Sequence, residues 1–221
     1  MSWAAGMYLY SEIPSAGNSP LASLVLNPAG RHYEELKAHM TASYEDVYFD
    51  EDALYMERNS RDFRRRIRVI NANTEAVCDF LRSRSLMDGK VKSPALKEVF
   101  YPKWTTGDNY EHCRITGTDG EQAGGFGGLF SLTFTSLSAS RAFFDALSCQ
   151  KGPGLGTNFT LACPYTILAH YAELDWAARY GVEEGLVRIS VGMEDMSTLL
   201  EAVGKAVEAA EAEVVLPKAS S

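Results

Sequence analysis

The sequence is short of several things that would fix a function at once. It has four cysteines, Cys78, Cys113, Cys149 and Cys163, and no two have the close spacing of a metal knuckle or a redox pair. That excludes a disulfide scaffold and leaves the expectation of four reduced, structural thiols. No apolar run reaches the roughly 18 residues of a membrane helix. The start, Met-Ser-Trp-Ala-Ala-Gly, lacks the basic segment and long apolar stretch of a secretory leader. Basic residues are outnumbered, and the net charge of −8 disfavours nucleic acid and anionic membrane as partners. The four histidines, His32, His39, His112 and His170, do not form a ligand set: His32 and His39 can share a helix face, but no third ligand has matching spacing. No G-x-S-x-G elbow is present. Gly124–Gly128 is rich in glycine but precedes a strand instead of opening a helix, so it reads as a flexible approach to that strand.

What is present is a core. Apolar residues make up 46% of the 221, enough for one large or two small domains of a cytoplasmic α/β protein. Residues 1–22 carry Pro14, Gly17, Asn18 and Pro20 and read as a poorly anchored segment. Ser23–Asn27 reads as a short strand. A helix follows from near Gly30, with Tyr33, Leu36 and Met40 at helical spacing. A second begins near Asp50, a candidate cap, and carries Leu54 and Tyr55. Ser60 is placed to cap a long third helix with Phe63, Ile67, Ile70, Val77, Phe80 and Leu81 on one side. The basic cluster Arg61, Arg64, Arg65, Arg66 and Arg68 then reads as a solvated or interface face. Residues 84–93 form a loop and domain boundary.

Beyond it come a strand at 99–102, a turn or two of helix at 107–114 and a loop at 116–125. A central strand at 127–134 follows, then a helix capped by Ser138 that buries Phe143, Phe144 and Leu147. One helix over 167–180 places Leu168, Tyr171, Leu174 and Ala178 inward. A strand at 186–191 and a final helix from Met196 to about Glu213 complete the order, with a frayed tail at 216–221. Trp104, Asp175 and Trp176 read as packing or interface residues, or as the lining of a substrate entrance. The mixed order implies a small sheet with helices on one face, an α+β layer.

Two stretches organise the rest: the glycine-punctuated run Lys151–Leu161, and Leu186–Asp195, a buried strand containing Arg188. An arginine between Val187 and Ile189 cannot be buried unpaired. It forms a structural salt bridge, snorkels to water, or faces a cleft that receives an anion.

Several motifs in order resemble one family: "SLVLNP…RHYEELKA", "ALYMERNSRDFRRRI", "GGFGGLFSLTF" with "SRAFFDAL", and "KGPGLGTNF" through "EEGLVRISVGMED". They resemble the C-terminal half of the pyridoxal-phosphate-dependent trans-sulfuration enzymes of cysteine and methionine metabolism. "TNFTLACPYTILAHYAELDWAA" is most similar to fungal cystathionine γ-synthases. The resemblance implies part of a type I pyridoxal-phosphate fold: residues 23–85 from the end of the large cofactor domain and its connecting helices, and 86–215 as the C-terminal domain that closes over substrate, with a mixed or antiparallel sheet covered by helices. It implies γ-replacement or elimination on O-acylhomoserine-type amino acids. Arg188 and Asn158 are the implied substrate-binding residues, Arg188 as the α-carboxylate clamp.

The chain departs from the family pattern at Gly154, where the family carries a serine, and at Phe159, where some γ-lyases carry a glutamate. It also has no lysine before Lys37 to hold pyridoxal phosphate as a Schiff base. The resemblance therefore implies a truncated chain without catalytic or cofactor-binding residues of its own, inactive alone. The implied partners are an amino-acid substrate and either a full-length family member or further copies of the chain. The alternative is a non-catalytic remnant that binds or modulates an oligomer through surfaces such as Phe63, Phe130 or Trp176.

Overall fold

The computed structural model describes residues 26–45, 49–88, 95–115, 117 and 124–215. The expectations for 1–22, for most of the 23–27 strand and for the tail lie outside them, as do most of the loop at 116–125 and the end of the loop at 84–93. The chain divides into two units, Met1–Phe63 and Arg64–Ser221. The first contains α1 (Tyr33–Ser43) and α2 (Asp50–Ser60). No residue of α1 is buried, and Leu54 and Tyr55 of α2 are exposed, so the apolar spacing here marks a face without marking a core. Asp50 is the first helical residue and Phe49 the cap position; the acidic trio Asp50, Glu51 and Asp52 favours the helix start through its dipole instead. Ser60 donates to the carbonyl of Glu57 and does not cap the next helix.

α3 (Phe63–Ser83) begins with the last residue of the first unit, and the second unit continues with β1 (Leu96–Phe100), α4 (Pro102–Thr105), α5 (Gly107–Glu111), β2 (Leu129–Phe134), α6 (Leu137–Ala146), β3 (Gln150–Lys151), β4 (Leu161–Pro164), α7 (Tyr165–His170), α8 (Leu174–Arg179), β5 (Val187–Ser190) and α9 (Met196–Val215). The strands form one sheet in the order β1-β2-β5-β4-β3, antiparallel except for the β3–β4 pair. This is the expected small mixed sheet with helices against it. Successive residues of a strand face opposite sides. Phe130, Leu132, Ala162, Val187 and Ile189 point into the core with α3, α6 and α9 residues such as Leu81, Phe143, Val203 and Val207. Each large side chain buried there contributes about 1.5–3 kcal/mol. Phe130 is therefore 2% exposed, not a bared surface.

Ser136, not Ser138, caps α6: its Oγ accepts the Ala139 N–H at 3.1 Å, and Ser138 bonds to that hydroxyl at 3.0 Å. Phe143 and Leu147 are buried and Phe144 partly so. The predicted helix over 167–180 is broken into α7, a 3-10 turn at Tyr171–Glu173 and α8. Only Thr166 and Ala177 of these elements are buried, while Leu168 and Tyr171 are 58% and 75% exposed. In the basic cluster Arg66 is buried, which corrects the reading of a wholly solvated face. Cys113 is exposed, so it is not a packing thiol, and all four cysteines are free. Among the described residues no helix is long and apolar enough to cross a membrane, and no cluster fits a metal.

Candidate functional site

The side of the sheet opposite the core formed with α3, α6 and α9 carries Arg188. In register it lies between Ser131 of β2 and Cys163 of β4. Covering this end of the sheet is the turn at 152–160, which joins the parallel strands β3 and β4. Arg188 Nη2 donates to the carbonyl of Pro153 in that turn. The guanidinium lies over the Tyr165 ring, 5.1 Å from its centroid. It also interacts with the Cys163 thiol, opposing the burial that pushes that thiol's pKa up. Among the described residues no carboxylate lies within ion-pair distance of Arg188. Of the sequence alternatives, the structural salt bridge is thus set aside. The charge is partly exposed, held by a carbonyl and a ring, and keeps N–H donors that no protein anion occupies.

The turn itself is rigidly fastened. Gly156 has φ +69°, a left-handed conformation suited to glycine, and donates its N–H to Ser190 Oγ at 3.0 Å. The Asn158 carbonyl accepts the Met193 N–H at 2.7 Å. Thr160 binds Glu194 twice, by its N–H at 2.5 Å and its hydroxyl at 2.9 Å, and its Oγ1 accepts the Gly192 N–H at 3.0 Å. From α3, Asn73 Nδ2 donates to the carbonyls of Gly192 and Glu194 at 3.1 and 2.9 Å. Gly192 is required by close approach: a Cβ there would lie 2.5 Å from the Asn158 carbonyl oxygen and the Phe159 backbone. Below the turn, Lys151 Nζ donates to the Phe144 and Leu147 carbonyls at 2.5 and 2.8 Å, closing the C-terminus of α6; burial pulls its pKa down.

The two residues singled out from the sequence therefore share one locality, Arg188 on the strand and Asn158 in the turn that crosses its end. Asn158 Oδ1 is buried and accepts no hydrogen bond. A buried acceptor left so costs about 1–3 kcal/mol. The motif reading did not single out Tyr165, Thr160, Ser190 or Asn73. Glu194 and Ser190 lie inside the quoted strand motif, but nothing in the spacing pairs them with Thr160 or Gly156. Trp104 packs against Tyr101 in the core rather than lining this face, whereas Trp176 is 49% exposed.

A pyridoxal phosphate anchor requires an amine that is free to condense. Every lysine amine among the described residues is engaged: Lys37 over the Tyr33 ring, Lys97 with Glu183, Lys103 with Glu75, Lys151 with the α6 carbonyls and Lys205 with Glu201. None of these five amines is among the groups that touch the Arg188 guanidinium.

The profile of the family "Cys/Met metabolism PLP-dependent enzyme" matches residues 28–208. The chain is 59% identical over 196 residues to the cystathionine γ-synthase-like enzyme iboG2 of Amanita muscaria, covering 86% of this chain and 31% of that protein. It is 47% identical over 195 residues to the cystathionine γ-synthase of Saccharomyces cerevisiae, covering 85% of this chain and 28% of the relative. The fold resembles the crystal structure of cystathionine γ-synthase from Xanthomonas oryzae pv. oryzae in complex with cystathionine, with TM-score 0.58 and 27% identity over 73% of this chain and 38% of that one. The chain thus spans about three-tenths of the length of these two fungal relatives. With a family profile matched across most of its length and fungal relatives 59% and 47% identical to it, the chain belongs to the Cys/Met metabolism PLP-dependent enzymes and is cystathionine γ-synthase-like.

Proposed function

We propose that this chain forms the substrate-closing part of a cystathionine γ-synthase-like enzyme that acts on O-acylhomoserine-type amino acids by γ-replacement or elimination. Arg188 binds the substrate α-carboxylate. Asn158 offers its buried Oδ1 to a donor on the bound substrate or on an ordered water. The carrying observation is a partly exposed guanidinium with no protein carboxylate, fixed between a carbonyl and an aromatic ring. A planar donor fork held on a strand suits a carboxylate better than a flexible ammonium does. In this reading the pyridoxal phosphate chemistry is supplied by a polypeptide other than this chain, and the chain alone is inactive. The exposed Trp176 and Phe63 favour association with a full-length relative or another copy as a second role.

The test is direct. The purified chain is incubated with pyridoxal phosphate, reduced with borohydride and mapped by mass spectrometry, then mixed with a full-length relative whose own Arg188 counterpart is mutated. The expected result is no specific lysine adduct in the chain alone and partial recovery of turnover in the mixture, abolished by Arg188→Ala. A stoichiometric lysine adduct with turnover by the chain alone would overturn the proposal.

A further inference from the structure

On the helix-covered side of the sheet, away from the clamp, a cavity of about 200 Å³ opens beside the start of β5. Val187 faces this cavity, while its neighbour Arg188 points to the other side of the strand. The floor is apolar, made by Phe144, Pro164, Ile167 and Val187. Its wall is fixed: Ser140 Oγ donates to the Gly185 carbonyl at 2.6 Å, and a Cβ at Gly185 would come within 3.2 Å of Ser140 Cβ. The space is smaller than the about 300–1,000 Å³ of a drug-sized site.

Charges of both signs line the same cavity. Arg141 and Asp145 lie one turn apart on α6, and Glu184 stands at the approach to β5. Arg141 and Asp145 have the spacing at which a helix normally pairs opposite charges. Yet among the described residues neither they nor Glu184 form an ion pair; Asp145 acts only electrostatically on Lys151. A simple carboxylate would leave the two acids unmatched, and a simple amine would leave Arg141 unmatched. A molecule with both charges on one carbon and an apolar tail carries the three kinds of group that this lining offers partners to.

We propose that this cavity binds a free α-amino acid with a linear apolar side chain. Arg141 receives the carboxylate, Asp145 and Glu184 receive the ammonium, and the side chain lies on Phe144, Ile167 and Val187. The site is separate from the clamp and independent of the reading given to Arg188.

Norleucine is the probe, titrated into the full chain with the methyl resonances of Ile167 and Val187 followed by NMR. The expected result is a saturable shift of these methyls. Hexanoate, pentylamine and alanine, each lacking one of the three matched parts, produce none at the same concentration. Arg141→Ala and Glu184→Gln each weaken binding about tenfold or more, as loss of a charge-assisted contact requires. Both residues are exposed, and circular dichroism verifies that the variants remain folded. Arg188→Ala leaves the methyl shifts unchanged. The proposal is overturned by an absence of saturation, by equal binding of hexanoate or pentylamine, by insensitivity to both cavity variants, or by loss of the shifts in Arg188→Ala. That last result would place the amino acid on the clamp face instead.

Discussion

Arg188 donates from β5 to the carbonyl of Pro153, 35 residues earlier, and so ties the strand to the turn that lies across its end. One side chain thereby serves as both a latch for the turn and the charge on the open face. Replacing it has two separable consequences. Arg188→Ala removes the latch, and amide exchange at Gly154–Thr157 should rise, while Gly156, still bonded to Ser190, should respond least. It should also lower affinity for the carboxylate of an O-acylhomoserine-type amino acid by about tenfold to a hundredfold, the range of one charge-assisted contact. Arg188→Lys should restore part of the affinity and little of the latch, because an ammonium has neither the fork nor the flat face that lies over Tyr165. Hydrogen exchange and calorimetric titration check the two effects in the same preparations.

Gly192 is where the arginine strand runs directly beneath the turn. A methyl group there meets backbone atoms at 2.5 Å, and backbone cannot rotate aside as a side chain does. Gly192→Ala should therefore destabilise the fold by about 3 kcal/mol, at the upper end of overpacking costs, and should displace Asn158. Gly204 is the matched control. It lies within α9, and an added Cβ would make only an ordinary 3.9 Å contact with the Phe80 ring. Gly204→Ala should be stabilising by about 0.5–1 kcal/mol from helix propensity alone. Urea denaturation of the pair distinguishes steric crowding from a general intolerance of substitution.

At Gly154 the chain lacks the hydroxyl that its family resemblance leads one to expect. The position is not in the left-handed region, and an added Cβ would sit 3.3 Å from Leu161 Cδ1, the movable end of a side chain. Gly154→Ser should fold normally. It should strengthen carboxylate binding about threefold to tenfold, the worth of one added hydrogen bond. If the clamp lies elsewhere, the substitution should leave affinity unchanged, and the same titration used for Arg188 measures it.

The sheet and its long helices were legible because their apolar residues recur at the period of the element: Ile70, Val77 and Leu81 in α3, Leu199, Val203 and Val207 in α9, and the alternation of β2. The same periodicity misled at 167–180. Leu168, Tyr171 and Leu174 recur at helical spacing, but the backbone leaves the helical region at His170 and Glu173, and Leu168 and Tyr171 are exposed while Leu174 is half-buried. Periodicity reports which residues share a face; it does not report whether this chain provides the surface that covers it. Arg188 was legible because a charge inside an apolar strand demands a reason. Thr160, Asn73 and Tyr165 were not, since their roles depend on contacts such as Asn73 with Gly192, 119 residues apart, that no local pattern encodes. The cavity beside β5 was illegible for the same reason: its floor comes from separate elements and its charges look like ordinary surface residues.

Asp195 lies between the arginine strand and the last helix and holds the first turn of that helix. Its Oδ1 accepts the N–H groups of Ser197 and Thr198 at 3.0 and 3.2 Å, and the Ser197 hydroxyl as well. The Ser197 hydroxyl, followed by the Thr198 N–H, holds its pKa below the usual carboxylate value. These bonds favour the charged form, so the folded-state pKa lies under the unfolded one. The stabilisation is fully present above the unfolded pKa and is lost as pH falls through the folded pKa. Acidification from neutrality to below the ordinary aspartate range should therefore loosen the first turn of α9, read as faster exchange of the Ser197 and Thr198 amides. Asp195→Asn keeps an acceptor without the charge, and should flatten that part of the pH profile while starting from lower protection at neutral pH. An unchanged acid profile in the variant would assign the loosening to other carboxylates, with Glu194 on Thr160 the next to test.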